Sequence, residues 1–192
     1  MLETLKTIDE NIFLYLNSQH NSFFDQLMWL FSDRIFWIPL YAWFLWMMYK
    51  KYPKHYWTVI VEVVLMIVVS DQLCNLAKVI VLRPRPSQEP HLLSMVHIVN
   101  GYRGGMYGFY SSHASNAFAV AFFMITALSG ERKYTIPVCM SYAILTAYSR
   151  VYLGVHYPGD IFAGAIIGTL LGSGFTFAHN RLRSRFFVNR TQ

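Results

Sequence analysis

Two histidines and one carboxylate form the most reactive pattern in this sequence. His156 and Asp160 are four residues apart, so a helical turn between them would place both on one face. A carboxylate on one ring nitrogen fixes the tautomer of an imidazole and leaves the other nitrogen free to attack. His113 lies in a separate segment and could protonate a leaving oxygen, because histidine titrates near neutral pH. These residues predict a nucleophile, the acid that orients it, and a general acid.

Cations and helix starts accompany these residues. Lys78, Arg85 and Arg150 lie at or just beyond the ends of apolar segments, and the planar fork of arginine matches pairs of phosphate oxygens. Ser111 and Ser112 are N-cap types, so the helix that they begin offers free N–H groups and a positive dipole end. This combination predicts a phosphate site. It requires no metal or other cofactor, because the cations can stabilise charge on a transferring phosphoryl group.

Each of these residues also has a simpler interpretation by itself. Lys78 could extend to lipid headgroups, His113 could be a structural hydrogen-bonding residue, and Arg150 could pair with Asp160. Their joint placement at the ends of apolar segments favours one shared site.

The composition places this chemistry in a membrane protein. The 192 residues are 55% hydrophobic and only 14% charged, whereas soluble domains carry roughly 25% charged residues. Disorder, a disulfide scaffold and a soluble nucleic-acid-binding protein are all disfavoured. Cys74 and Cys139 lie in apolar runs and are interpreted as small core residues.

The apolar segments predict an all-α bundle of five to six membrane-spanning helices, because one span needs about 20 residues. Five crossings are expected at 35–49, 56–80, 113–129, 134–153 and 160–178. The first is short and is expected to gain apolar length from 23–31 across Asp33-Arg34. A sixth crossing at 10–31 remains an alternative.

The amino-terminal segment predicts an amphipathic helix. Its apolar residues recur at helical spacing, at Leu2, Leu5, Ile8, Ile12 and Leu16. This stripe fits either a helix lying on the membrane surface or one packed on the protein itself. The chain is therefore divided into an amino-terminal region (1–33), a membrane core (34–180) and a basic tail (181–192), within one domain spanning 1–192.

The basic residues predict the orientation of the bundle. Nine of the sixteen cations alternate with the crossings onto one side: Lys50, Lys51, Lys54, Arg132, Lys133, Arg181, Arg183, Arg185 and Arg190. The positive-inside rule makes this side cytoplasmic. It also accounts for the net charge of +6 without a nucleic-acid partner. The candidate site then faces the extracytoplasmic side.

The spacing of the candidate residues resembles that of the type 2 phosphatidic acid phosphatase (PAP2) superfamily. The matching elements are Lys78, six residues, Arg85-Pro86; then Ser111-Ser112-His113; then Ser149-Arg150, five residues, His156, three residues, Asp160. The second element departs from the family pattern Pro-Ser-Gly-His, since Tyr110 and Ser112 replace the proline and the glycine. The added side chain at Ser112 is expected to narrow the pocket.

The resemblance implies a lipid phosphatase of a bacterial inner membrane that uses no cofactor. It implies that His156 forms a phosphohistidine, that Asp160 orients it, and that His113 is the general acid. It assigns phosphate binding to Lys78, Arg85, Ser111, Ser112 and Arg150.

The expected substrate is a lipid phosphate or diphosphate among membrane lipids. Undecaprenyl diphosphate is favoured over phosphatidylglycerophosphate, phosphatidic acid and the lipid A 1-phosphate. Two alternatives remain: a non-catalytic protein that binds or transports lipid phosphates, and, more remotely, a vanadium haloperoxidase sharing the same pocket.

Several residues outside the motif are also interpreted. Arg83 is taken as an interface residue, with steering of anionic headgroups as the alternative. Asp71 could hold Lys78 or make an interhelical hydrogen bond, and Glu62 has no evident partner. Two longer features are interpreted as well: Gly164, Gly168 and Gly172 predict close helix packing, and the glycine-rich loop 88–110 predicts a lid or an irregular wall, with a metal site at Glu89, His91 and His97 as a minor alternative.

Overall fold

The computed structural model describes residues 2–186, and its regular secondary structure in that range is helical. The helices are α1 (Leu2–Ser18), α2 (Ser22–Ser32), α3 (Ile38–Lys51), α4 (Tyr56–Val81), α5 (Ser112–Ala127), α6 (Arg132–Tyr152) and α7 (Pro158–Phe186). Short 3₁₀ turns lie at Ile35–Trp37, Pro86–Gln88, Val99–Gly101 and Ser129–Glu131. The β-pairing in this range is one isolated antiparallel bridge between Pro84 and Tyr107. The all-α prediction is confirmed for these residues, while residues 187–192 of the predicted basic tail lie outside them.

Helix α5 lies at the centre of the bundle and packs most closely against α7. The packing depends on the glycine stripe, because a Cβ atom at Gly164 would lie 2.6 Å from the carbonyl oxygen of Ser111. A Cβ at Gly168 would overlap the carbonyl oxygen of Ser115, and one at Gly172 would overlap that of Ala119. The close helix packing predicted from these glycines is therefore what the structure shows.

Two of the described helices, α4 and the Pro158–Leu182 part of α7, are long and apolar enough to cross a bilayer. Helix α4 presents Val61, Val64 and Val68 outwards, as a lipid-facing helix does. The 14 residues of α3 and the 16 of α5 fall below the usual span of about 20 residues. The count of five to six crossings therefore remains a prediction.

The expected first crossing needs correction. Residues 23–31 do not extend the segment 35–49, because α2 ends at Ser32 and α3 begins at Ile38. Asp33 ends α2 in an extended conformation, and its carboxylate accepts a hydrogen bond from the backbone N–H of Ile35 (3.0 Å). Pro39 in the first turn of α3 then favours a new helix start. The two apolar segments are separate helices joined by a polar turn.

The amino-terminal helix combines the two alternatives left open by its sequence. One face of α1 packs on the protein through Phe13 and Asn17, both buried. The predicted apolar stripe lies on a different face, where Leu5, Ile8 and Ile12 are exposed. The helix is thus held by the protein and still offers an apolar surface.

The end of the bundle formed by the start of α4 and the end of α7 carries a buried polar contact. Glu62 Oε2 accepts a hydrogen bond from His179 Nδ1 (2.8 Å). Nearby, Lys51 donates to the carbonyl oxygen of Ala127 at the end of α5 (2.7 Å). Cys74 and Cys139 are free and buried, as predicted.

We expect Gly168→Val to destabilise the protein by about 1–3 kcal/mol, the usual cost of overpacking a tight contact. The added side chain must displace the backbone of α5 at Ser115. The midpoint of thermal unfolding in detergent measures this effect.

Gly174→Ala is the matched control on the same helix, because a Cβ there meets nothing within 4 Å. Its midpoint should be unchanged or raised. Equal losses in both variants would contradict the close-packing argument.

Candidate functional site

Four segments meet at the end of the bundle opposite Glu62 and His179. They are the loop from 82 to 111, the start of α5, the end of α6, and the turn from 153 to 157 that leads into α7. Ser111 joins two of them, because its side chain caps α5 by accepting from Ala114 N (3.4 Å) and its own N–H donates to Asp160 O (3.1 Å). The starts of α5 and α7 are thereby fixed beside each other.

His156 and Asp160 lie together as their spacing predicts. His156 Nδ1 is 3.4 Å from Asp160 Oδ2, and that oxygen also accepts from the backbone N–H of Tyr157 (3.0 Å). Both side chains are essentially buried. The 3.4 Å separation is longer than a typical hydrogen bond.

Arg85 fixes the tautomer of His156. Its Nη1 lies 3.3 Å from His156 Nε2, and an arginine can only donate, so Nε2 must be the accepting nitrogen. The ring proton is then on Nδ1, facing Asp160 Oδ2. Arg85 is itself held by the carbonyl oxygens of Tyr107 (3.2 Å) and Val155 (3.3 Å). The arrangement leaves the lone pair of a neutral imidazole directed at a guanidinium, where an anion would bind.

Burial holds the pKa of His156 well below its usual value near 6.5. The charges of Arg85, Arg150 and Lys78 act in the same direction. His156 is therefore neutral, and able to attack, at pH values where an exposed histidine would already be protonated.

Arg150 lies in the last turn of α6, with only 2% of its surface exposed. One Nη atom bonds Ser32 Oγ on α2, and the other lies 3.4 Å from the hydroxyl of Tyr102. Its Nε–H is buried without a partner among the described residues. An unsatisfied buried donor on a cation costs free energy, which an anionic ligand would recover. The simpler interpretation, pairing with Asp160, is not what the structure shows.

The remaining predicted residues surround this centre. His113 is half-buried at the start of α5, within range of the charges of Arg150 and His156. Lys78 acts on His156 through its charge, and Lys78 and Ser112 both contact the thiol of Cys74. All eight sequence-predicted residues thus lie at one end of the bundle.

An apolar cavity of about 340 Å³ leads away from His113 between α3, α4, α5 and α6. Ser32, Arg34 and His113 line its polar end, and most of the other lining residues are apolar, among them Phe44, Val63, Val120 and Met124. The cavity is therefore suited to an amphipathic molecule whose polar end reaches the site.

Gly108 brings the loop against the centre of the site. A Cβ atom at this position would lie 3.1 Å from both Arg85 Cγ and Asp160 Oδ2, and 3.5 Å from His156 Nδ1. The loop 88–110 forms an irregular wall here. Its candidate metal ligands do not converge, because His91 faces Glu10 and Glu89 whereas His97 contacts Asp25 (2.8 Å).

Sequence reasoning missed several contacts to the site. The interpretation of Arg83 as an interface residue is wrong, because its Nη1 donates to Asp160 Oδ1 (3.1 Å). Ser32 and Tyr102, which hold Arg150, carry no motif and lie 118 and 48 residues from it in the chain. Asp71 accepts an interhelical hydrogen bond from Asn116 (2.9 Å), the second of its two expected roles.

The sequence is similar to known proteins over most of its length. The PAP2 superfamily matches residues 59–184. A lipid A 4'-phosphatase of Bacteroides thetaiotaomicron is 40% identical over 191 residues, covering 96% of this chain and 83% of that protein. A lipid A 4'-phosphatase of Porphyromonas gingivalis is 33% identical over 187 residues, covering 96% and 78%.

The fold is also known from crystal structures. A PAP2 type phosphatidylglycerolphosphate phosphatase from Bacillus subtilis superposes with a TM-score of 0.70 at 22% identity, covering 98% of this chain and 90% of that one. This likeness establishes the architecture of the bundle.

The depressed pKa of His156 predicts how activity depends on pH. Attack by His156 would require an unprotonated Nε2, so we expect kcat/KM for phosphate-ester hydrolysis to hold steady as pH falls through about 6.5 and to decline only below it. Lys78→Gln removes one of the charges that lower this pKa, and the decline should move to higher pH.

Lys78→Arg keeps the positive charge and is the control, so its decline should stay at the wild-type pH. A decline that falls at the same pH in Lys78→Gln and wild type would contradict this electrostatic account.

Proposed function

Because this chain belongs to the PAP2 superfamily and is a membrane lipid phosphatase, we propose that it removes the 4'-phosphate from lipid A. The observation that carries this proposal is 40% identity with a lipid A 4'-phosphatase over 96% of this chain and 83% of that relative. The sequence alone favoured undecaprenyl diphosphate, but all the candidate lipids depended on the same residues. The end-to-end similarity supports lipid A among these candidates.

The proposed reaction has two steps. His156 Nε2 attacks the phosphorus, a P–N bond forms, and the P–O bond to the lipid breaks while His113 protonates the departing oxygen. Water deprotonated by His113 then attacks the phosphohistidine, which releases inorganic phosphate and restores neutral His156. The contact of Nδ1 with Asp160 stabilises the ring as it becomes positively charged.

Phosphate binding follows from the donors that surround Nε2. Arg85 donates to Nε2 and can transfer that hydrogen bond to a phosphate oxygen. Arg150 offers its Nε–H, Lys78 offers its charge, and Ser112 offers its backbone N–H at the amino terminus of α5, which Ser111 caps. These donors also stabilise charge on the transferring phosphoryl group, which is why the proposed reaction needs no metal.

The apolar cavity supports a lipid substrate. His113 lines its polar end, so the leaving group that His113 protonates would lie at the mouth of the cavity, with its acyl chains between α3 and α4. Arg34 and Ser32 line the same end and would face the sugar oxygens of the headgroup. A lipid could therefore present its phosphate to His156 without leaving the bilayer.

The site is proposed to face the extracytoplasmic side of a bacterial inner membrane. Lys50, Lys51 and Lys54 join α3 to α4 at the end of the bundle opposite His156, and Arg181 lies towards the end of α7 on that same side. The positive-inside rule assigns the basic end to the cytoplasm.

Purified protein in detergent with EDTA should release phosphate from lipid A that carries a 4'-phosphate, and mass spectrometry of the product should show loss of that group alone. Undecaprenyl diphosphate, phosphatidylglycerophosphate and phosphatidic acid are tested in parallel. His156→Ala should lower kcat by at least about 10³-fold, as removal of a nucleophile does. His91→Ala, a histidine on the same face outside the site, should keep wild-type activity.

An aryl phosphate substrate should distinguish the roles of the two histidines, because its leaving group departs without needing a proton. His113→Ala should then still form a phosphoenzyme that is labile in acid and stable in alkali, while His156→Ala should form none. Saturable lipid binding without phosphate release from any of the lipids would contradict the proposal in favour of a binding or transport protein.

A further inference from the structure

A chain of charged contacts connects the amino-terminal helix to the catalytic carboxylate. Arg83 Nη1 donates to Asp160 Oδ1 (3.1 Å), and Nη2 of the same guanidinium donates to Asp9 Oδ2 (2.7 Å). The other oxygen of Asp9 accepts from the backbone N–H of Gly159, in the first turn of α7 (2.8 Å). Asp9 therefore contacts both the cation that holds Asp160 and the helix turn that carries it.

The guanidinium of Arg83 is held on three sides. Its two Nη atoms contact two carboxylates, and its Cζ lies 4.0 Å from the ring centre of Tyr157. The Tyr157 ring packs edge-on against Phe13 of α1, with ring centres 5.5 Å apart. This geometry leaves Arg83 committed to protein partners, so steering of anionic headgroups does not describe it.

The contact with Arg83 fixes the orientation of Asp160. Oδ2 accepts from Tyr157 N and faces His156 Nδ1, and Oδ1 is occupied by Arg83, so both oxygens have partners in a fully buried position. Without Arg83 one oxygen would lose its charged partner, and rotation of the carboxylate would break its alignment with the imidazole. Misplacement of a catalytic group by about 1 Å can cost on the order of 10²-fold in rate.

We propose that Arg83 and Asp9 are positioning residues for the nucleophile, acting through Asp160, and that α1 is part of the catalytic apparatus. The inference rests on the proposed function, because it takes His156 as the attacking group. Neither residue belongs to the motif that carries the family resemblance.

Kinetics of Arg83→Met and Asp9→Asn test this inference, with phosphate release measured from lipid A and from the short-chain lipid dioctanoyl phosphatidate. We expect kcat to fall about 10- to 100-fold in Arg83→Met and less in Asp9→Asn, with KM nearly unchanged, because the phosphate donors stay in place. Arg83→Lys keeps a charge but lacks the fork that bridges two carboxylates, so it should restore kcat in part. Glu3→Gln, at an exposed position of α1, is the matched control and should equal wild type.

The pH profile separates positioning from a purely structural role. Charged or titratable groups around His156 are Lys78, Arg85, Arg150, His113 and Asp160. Arg83→Met removes a positive charge beside Asp160, so the acid decline of kcat/KM should move to higher pH. Asp9→Asn removes a negative charge, so the decline should move to lower pH. Asparagine can still accept from Gly159 N–H, which preserves the start of α7.

The double variant Asp9→Asn/Arg83→Met should lose no more kcat than Arg83→Met alone, because both residues act on one carboxylate. If the variants have lowered thermal midpoints but wild-type kcat and wild-type pH profiles, the inference is overturned, and Arg83 and Asp9 have only a structural role. If the wild-type protein releases phosphate from neither lipid, the proposed function fails instead.

Discussion

Buried positive charge without enough carboxylate to balance it is the constraint on which this site depends. Arg85 and Arg150 are almost fully buried, and neither makes a salt bridge to a carboxylate in the part of the chain that the structure describes. Burial lowers the pKa of Arg85, since the protein solvates its charge less well than water does. Asp160 is the acid beside His156, and Arg83 already pairs with it. A bound phosphate would supply the missing negative charge, so the site is built around its ligand.

The glycine stripe of α7 makes this geometry possible. Without side chains at Gly164, Gly168 and Gly172, α5 and α7 approach at backbone distance. Ser111 can therefore donate to the carbonyl oxygen of Asp160 across the two helices. The segments that carry His113 on α5 and His156 before α7 are thus fixed beside each other by a backbone hydrogen bond, and rigid elements hold a site in its geometry.

The residues that could be predicted from the sequence are those whose roles follow from local spacing. His156 and Asp160 are four residues apart, so their spacing alone predicts that they lie together. The helix start at Ser111 likewise follows from the residue type at that position. The distant partners carry no such signal. Asp9 meets Arg83 across 74 residues and Glu62 meets His179 across 117, and these pairs depend on how whole helices pack.

The limits of the apolar pattern appear at the first expected crossing. The apolar pattern predicted that 23–31 and 35–49 form one crossing. Two helices form instead, because Asp33 accepts a hydrogen bond from Ile35 N–H and Pro39 favours a new helix start. The apolar pattern also predicted the apolar stripe of α1, but it did not indicate which face of that helix packs on the protein. Asp9, Phe13 and Asn17 lie on that inner face, and two of the three are polar. A search for apolar faces overlooks such residues.

The two faces of α1 have a consequence for handling the enzyme outside a membrane. Leu5, Ile8 and Ile12 are exposed on one side of the helix, and Asp9 reaches Arg83 on the other. A solubilising agent that covers this apolar surface poorly would act on a helix connected to the imidazole of His156 through two intervening side chains, Arg83 and Asp160. Lipid that covered the same surface would support this helix, so native-like nanodiscs suit purification better than harsh micelles.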